Sequence, residues 1–187
     1  MQTSVPISGL TYLPHFVEAE EEAALLAQID AAVWRHDLKR RVQHYGYRYD
    51  YRARTVTPAD RLGDLPGWLA PLADRLWDAG WFARRPDQVI VNEYQPGQGI
   101  SAHIDCAPCF GGTIASLSLG SPAIMRFTRP GNPPVDLPLP ARSLVVLSGE
   151  ARYDWRHAIP ARRSDPGSHG RIPRTRRVSL TFRTVIV

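Results

Sequence analysis

The stretch SAHIDCAPCF, residues 101–110, holds His103, Asp105, Cys106 and Cys109 within seven positions. Two chemistries compete for it: a His-x-Asp pair that grips a metal ion, or a Cys-x-x-Cys pair that binds zinc or cycles between thiol and disulfide. A structural zinc site takes four ligands, usually two Cys/His halves. The chain has two cysteines and so provides one half. A redox Cys-x-x-Cys opens a helix after a strand, whereas FGGTIASLSLG follows here, a glycine turn and then a strand pattern. The cysteines are therefore expected to be two reduced side chains in a loop, outside the metal chemistry.

Residues two apart on a strand point to the same face, so His103 and Asp105 can hold one ion together. A distant histidine would complete a 2-His-1-carboxylate set, which leaves open positions on Fe(II) for oxygen and an organic co-substrate. His157 is the candidate: it lies in YDWRHAIP, an expected strand after SLVVLSG. His15 precedes the first expected helix, His36 ends it, and His169 sits in a basic loop. His44 lies in a tyrosine-rich segment and fits a different role.

The last strand strengthens the metal reading. In RVSLTFR, residues Arg177, Ser179, Thr181 and Arg183 alternate with Val178, Leu180 and Phe182. If the apolar set packs on a core layer, the other face carries two arginines into an interior, where an unpaired charge is costly. Their Cα atoms would lie about 20 Å apart at roughly 3.3 Å per residue. With both side chains leaning inward, a gap of roughly 6–8 Å remains, the span of a five-carbon dicarboxylate. A guanidinium fork suits carboxylates.

These residues need a scaffold. EAEEEAALLAQIDAAVW (18–34) reads as an amphipathic helix with an acidic first turn, Leu25, Leu26, Ile29, Ala32 and Val33 sharing a face. PGWLAPLADRLWDAG reads as a second, with Trp68, Leu69, Leu72 and Leu76 on one side and Gly80 at its end. After Arg85 come short apolar or alternating runs punctuated by Pro and Gly: QVIVNEY, GTIASLSLG, AIMRF, SLVVLSG, YDWRHAI and RVSLTFRTVIV. Helices followed by many short strands predict an α+β chain ending in a sandwich or barrel. TRPGNPPVDLPLPA is expected to be an ordinary long connection, and PARRSDPGSHGRIPRTRR a mobile basic loop.

The bulk composition agrees. A chain of 187 residues with 43% hydrophobic and 22% charged content matches one globular domain with a real core. No run of eighteen apolar residues spans a membrane. MQTSVPISGL lacks the charged and apolar regions of a signal peptide, so the expected address is the cytoplasm. A net charge of +5 suits a polyanionic partner.

Together, VNEYQPGQGISAHIDCAPC, LSGEARYDWRHAIP and RRVSLTFRTV resemble the AlkB family of Fe(II)- and 2-oxoglutarate-dependent dioxygenases. The family pattern is Asn-x-Tyr, His-x-Asp, a distal His, and Arg-x-Asn-x-x-x-Arg. Asn92, Tyr94, His103, Asp105, His157, Arg177 and Arg183 fall in that order here. LKRRVQHYGYRYDY, GQGI, SLSLGS and SGEARY resemble the tRNA-modifying AlkB homologue subgroup, and the chain reads as a compact bacterial-type member of it. The resemblance implies a double-stranded β-helix (jelly roll) with N-terminal helices packed on it. It implies a single domain over 1–187, with helices and a nucleotide-recognition lid over about 1–86 and the jelly-roll core over about 87–187. Iron would be held by His103, Asp105 and His157. 2-Oxoglutarate would lie with its chelating end near Arg183 and its distal carboxylate on Arg177, beside Asn92 and Tyr94. Ser179 stands where the family has Asn. Ala107 stands where repair-type members carry an acid that accepts from the exocyclic amine of adenine or cytosine.

In QHYGYRYDYRAR, Tyr45, Tyr47, Tyr49 and Tyr51 alternate, so one extended segment would put them on a single face. Aromatic rings interleaved with Arg41, His44 and Arg48 suit stacking on a flipped or single-stranded base with phosphates alongside. In the family this region is the lid. The expected activity is oxidative dealkylation of alkylated DNA or RNA by a monomer. The alternatives are hydroxylation of a modified wobble uridine in tRNA and, from another class, non-catalytic nucleic-acid binding.

Overall fold

The structure, a computed structural model, describes residues 6–168 and 170–187. In chain order its elements are β1 (Leu10–Leu13), α1 (Ala19–Ala31), β2 (Val42–Tyr45), α2 (Ala70–Asp78), β3 (Gln88–Tyr94), β4 (Ile100–His103), β5 (Ile114–Gly120), β6 (Ala123–Thr128), β7 (Val135–Leu139), β8 (Leu144–Leu147), α3 (Gly149–Tyr153), β9 (Arg156–Ile159), β10 (Ser164–Gly167), β11 (Gly170–Pro173) and β12 (Arg177–Arg183). A six-stranded sheet runs β1-β8-β5-β12-β3-β2 and a four-stranded sheet runs β4-β9-β6-β7. Every pairing within them is antiparallel. Two facing antiparallel sheets with crossovers make the jelly roll, and the fold class is α+β.

Alternation along the strands builds two apolar layers. Leu144 and Val146 of β8 join Val178, Leu180 and Phe182 of β12 against Leu25 and Ile29 of α1, Leu72 and Leu76 of α2, and Leu69 at its N-cap. Val145 and Leu147, on the other face of β8, join Met125, Phe127 and Leu139 between the sheets. A strand covered on both sides reads as a continuous apolar run, hence LVVL. Phe182 is fully buried, and truncating such a ring to Ala costs about 3–5 kcal/mol.

Several expectations change. A strand precedes the first helix, because Leu10–Leu13 pairs with β8 at the sheet edge. Helix α1 stops at Ala31, so Val33 is 89% exposed rather than on the buried face. The proline-rich connection contains β7, which pairs with β6; Pro138 is tolerated on this edge strand. YDWRHAI is a strand only from Arg156, since SGEARY forms the short helix α3. The basic loop is a β10–β11 hairpin, anchored by buried Asp165, which accepts from Arg162 and Arg174. His169 lies outside the described residues. No described helix is long and apolar enough to cross a membrane.

Candidate active site

Strand β12 lies at the centre of the large sheet, between β3 and β5. Its apolar face goes to the helices, so Arg177, Ser179, Thr181 and Arg183 point into the space between the sheets. All four are buried there and line one cavity of about 260 Å³. The register sets Arg177 opposite Tyr94 and Ser179 opposite Asn92, which places those β3 residues on the same wall.

The opposite wall comes from the small sheet. His103 on β4 and His157 on β9 are direct cross-strand partners, their ring centroids 4.4 Å apart. Asp105 follows β4. Its Oδ1 lies 3.2 Å from His103 Nε2 and 3.7 Å from His157 Nε2. One ligand atom from each of the three residues falls within a 4.8 Å cluster. Burial would raise the Asp105 carboxyl, but the Arg183 guanidinium beside it and the two histidines hold it well below its ordinary value. Burial pushes the His157 imidazole down to about 4, so it is neutral near pH 7, as a metal ligand must be. The Ser101 carbonyl, 2.8 Å from His103 Nδ1, fixes that ring with Nε2 toward the cluster. Two imidazoles and one carboxylate on one side of a cavity form the donor set for Fe(II) with open positions.

The two arginines have different partners. Arg183 donates through Nε to Asp105 Oδ2 at 2.8 Å and through Nη1 to Gln88 Oε1 at 3.3 Å. The expectation that both need an outside anion is corrected, because Arg183 already has an internal one. Arg177 donates to Ser118 Oγ at 2.8 Å, while its buried Nε has no partner. Burial pushes this guanidinium below its ordinary value. An unpartnered, buried guanidinium N–H at the far end of the cavity from the triad fits a carboxylate, and so fits the distal end of 2-oxoglutarate. Asn92 Oδ1 accepts from Arg40 Nε at 2.9 Å.

The residues of the expected lid divide. Tyr49 and Tyr51 line the cavity, stacked edge to face 5.1 Å apart. Tyr45 packs on Trp68 instead, and Tyr47 lies outside the cavity wall. The single-face expectation fails at Gly46, whose φ of +76° breaks the alternation; a Cβ there would sit 1.8 Å from the Asp87 carbonyl oxygen. His44 does not reach the cavity either. Its Nδ1 accepts from the Tyr49 N–H at 3.0 Å and its Nε2 lies 3.4 Å from Tyr51 Oη, so it braces the two tyrosines that do. Arg41 is held by Glu93, on the face of β3 opposite Asn92, and lies 4.5 Å over the Trp34 ring. Arg48 pairs with Asp60 at the surface. Arg40 and Arg54, which the sequence reading did not select, line the cavity in their place.

Two further features escaped the sequence. Cys106 and Cys109 are joined by a disulfide, correcting the expectation of reduced thiols. The Cys106 carbonyl accepts from the N–H groups of Cys109 (3.2 Å) and Phe110 (3.1 Å), a turn that brings the two Cα atoms to 5.2 Å, within bridging range. Arg152 of SGEARY is 2% exposed and, among the described residues, makes no salt bridge to a carboxylate. It donates to the carbonyls of Asp105, Cys106, Phe110 and Gly111 at 2.8–3.4 Å. It thereby fixes the turn after Asp105. A charged residue inside SGEARY was the available signal.

Comparison with known proteins agrees with this geometry. The description "2OG-Fe(II) oxygenase superfamily" matches residues 9–183. The Arabidopsis thaliana "Alkylated DNA repair protein ALKBH8 homolog" is 41% identical over 209 residues, covering 99% of this chain and 60% of its own length. The Mus musculus "tRNA (carboxymethyluridine(34)-5-O)-methyltransferase ALKBH8" is 39% identical over 168 residues, covering 84% of this chain and 25% of its own length. This chain therefore spans less than two thirds of either relative. The solved structure of OsALKBH1 superposes with a TM-score of 0.75 at 16% identity, covering 98% of this chain and 100% of that one. The chain belongs to the 2OG-Fe(II) oxygenase superfamily and, within it, to the AlkB family, whose resident metal is Fe(II) and whose co-substrates are 2-oxoglutarate and O2.

Proposed function

We propose that this chain is a dioxygenase acting on modified nucleobases of DNA or RNA, by oxidative dealkylation where the oxidised carbon is bound to nitrogen. The observation that carries the proposal is one cavity with the His103–Asp105–His157 cluster on one wall and, on the other, Arg177, whose buried Nε has no hydrogen-bond partner among the described residues. His103, Asp105 and His157 would hold the iron, and 2-oxoglutarate with O2 supplies there the oxidation of a substrate C–H. The chain's residues do the rest. Arg177, Ser179, Asn92 and Tyr94 orient the distal carboxylate. Arg183 keeps Asp105 ionised. Tyr49 and Tyr51 cover the cavity and offer faces to a base, with Arg40 and Arg54 beside them for its phosphates. A hydroxyl placed on an N-alkyl carbon leaves as an aldehyde; one placed on a C-bound carbon stays.

A second reading is hydroxylation of a modified wobble uridine in tRNA. Among the described residues, Asp105 is the one carboxylate in the cavity wall, so no free acid accepts from the exocyclic amine of adenine or cytosine. Arg40 and Arg54 instead offer donors to the carbonyl edge of a uridine. The mouse relative's name concerns the same nucleotide. Mass spectrometry of nucleosides from alkylated DNA, alkylated RNA and tRNA, after incubation with Fe(II) and 2-oxoglutarate, tests both. Aldehyde release supports dealkylation, a retained hydroxyl supports the second reading, and no change in any substrate overturns both.

A further inference from the structure

We propose that Cys106 and Cys109 form an internal two-electron reductant that disposes of activated oxygen when no substrate C–H is in place. The inference rests on the oxygenase reading above and adds a function to it.

Three observations place the pair. Cys106 follows Asp105 directly and lines the same cavity as His103, Asp105 and His157. Cys109 is buried behind it, and the turn that joins them is fixed from beneath by Arg152. The two sulfurs lie 3.4 and 3.5 Å from the Arg54 carbonyl oxygen, so the pair sits where the lid meets the metal turn. Cys109 packs into the apolar layer between the sheets with Cys106 against it, and neither belongs to the metal cluster.

The cavity gives such a pair a purpose. Tyr49, Tyr51, Phe110 and Met125 line it too. Each carries a ring or thioether that activated oxygen without a substrate can attack, and ring hydroxylation is not reversed by thiols. An S–H bond is weaker than an aromatic or aliphatic C–H bond, and a disulfide is reversible. The pair is therefore the sacrificial group whose loss can be undone. The step balances: 2-oxoglutarate, O2 and two thiols give succinate, CO2, water and one disulfide. One oxygen atom of O2 enters succinate. The other leaves as water with the two thiol hydrogens, and the S–S bond forms from the two sulfurs. A small-molecule dithiol returns the pair to its reduced state by exchange. The disulfide is the oxidised product of that step.

The chain's two cysteines are the whole of its thiol content, so thiol counting reports this pair alone. The protein is reduced with dithiothreitol, desalted without oxygen, and loaded with Fe(II) and 2-oxoglutarate without nucleic acid or ascorbate. Oxygen is then admitted. Succinate is measured, and free thiols are counted by alkylation and intact mass. The expected result is loss of both thiols for each succinate in the first turnover, and a second such burst after renewed dithiothreitol. Without 2-oxoglutarate the thiols should survive at least about tenfold longer. The double variant Cys106→Ser, Cys109→Ser should instead gain the mass of one oxygen atom on Tyr49, Tyr51, Phe110 or Met125. Succinate formed while both thiols remain alkylatable overturns this inference alone. Thiol loss at the same rate without 2-oxoglutarate does so too. Absence of succinate from every preparation overturns the oxygenase reading and this inference with it.

Discussion

Arg183 Nε donates to Oδ2 of Asp105 at 2.8 Å, in a site where both side chains are at least nine-tenths buried. The final long strand is thus tied to the carboxylate of the metal cluster. One contact keeps Asp105 ionised, leaves its Oδ1 facing the two histidines, and neutralises a guanidinium that would otherwise be stranded.

Replacing Asp105 by Ala should therefore do two things. It removes the anionic ligand, so succinate formation should be lost. It also leaves Arg183 buried without its anion, which costs about 3–5 kcal/mol. Asp105→Asn keeps the shape and should lose activity with a smaller drop in melting temperature. Wild-type succinate production in either variant would remove Asp105 from the metal site.

Arg177 makes the opposite case. Its charge is buried with a neutral hydroxyl as its hydrogen-bond partner and one N–H unused. Arg177→Lys keeps the charge but loses the fork, and the 2-oxoglutarate KM should rise at least about tenfold, equivalent to ~1.4 kcal/mol of co-substrate binding. Arg177→Met removes a buried charge that, among the described residues, has no carboxylate within salt-bridge distance and lies 5.2 Å over the Tyr94 ring. That variant should melt no lower than wild type, yet lose the stabilisation 2-oxoglutarate gives, about 2.7 kcal/mol at one hundred times its Kd. If 2-oxoglutarate protects Arg177→Met as fully as wild type, the distal carboxylate sits elsewhere.

His44 gives a pH prediction. Burial, with Arg35 nearby, pushes its pKa down to about 4, against ~6.5 in an unfolded chain. The folded state therefore favours the neutral ring, and the unfolded state binds more protons between those values. Stability from this group is complete above about pH 6.5 and falls as pH drops toward 4, by on the order of 3 kcal/mol in all. Protonation at Nδ1 also ends its acceptance from the Tyr49 N–H. Thermal melts from pH 7 to pH 4.5 should show wild type losing stability faster than His44→Asn, and parallel curves would contradict the buried neutral ring.

His103, Asp105 and His157 were legible from residue type and expected strands, although Asp105 lies in the turn just past β4 and is set there by Arg152 rather than by strand alternation. Strand alternation did hold on β12, sending Arg177 and Arg183 into the cavity and Val178, Leu180 and Phe182 to the helices. Alternation failed where a backbone break intervened. Gly46 turned the tyrosine ladder, so Tyr45 and Tyr47 left the site while Tyr49 and Tyr51 stayed. Arg41 was lost to Glu93, because a partner fifty-two positions away has no local trace. Arg152 was missed for the same reason: its partners are carbonyls of a distant turn. Edge strands β1 and β7 and the β10–β11 hairpin are short, and proline or glycine in two of them masked the pattern.

Arg54 combines strain with position. It is a non-glycine residue with φ of 55°, and it lines the cavity while remaining exposed. The left-handed region costs a residue with a Cβ about 1–2 kcal/mol. Arg54→Gly relieves that strain, keeps the carbonyl that lies against both cysteine sulfurs, and removes one positive charge at the cavity mouth. Its melting temperature should rise by about 2–4 °C per kcal/mol relieved, the scale for a domain of this size. Its affinity for the proposed nucleic-acid substrate should fall, with a shallower dependence on salt, since one fewer phosphate counterion is released on binding. Affinity measured across a salt series, beside a thermal melt, separates the two effects. Unchanged affinity with a lower melting temperature would make Arg54 a packing residue and take it out of substrate recognition.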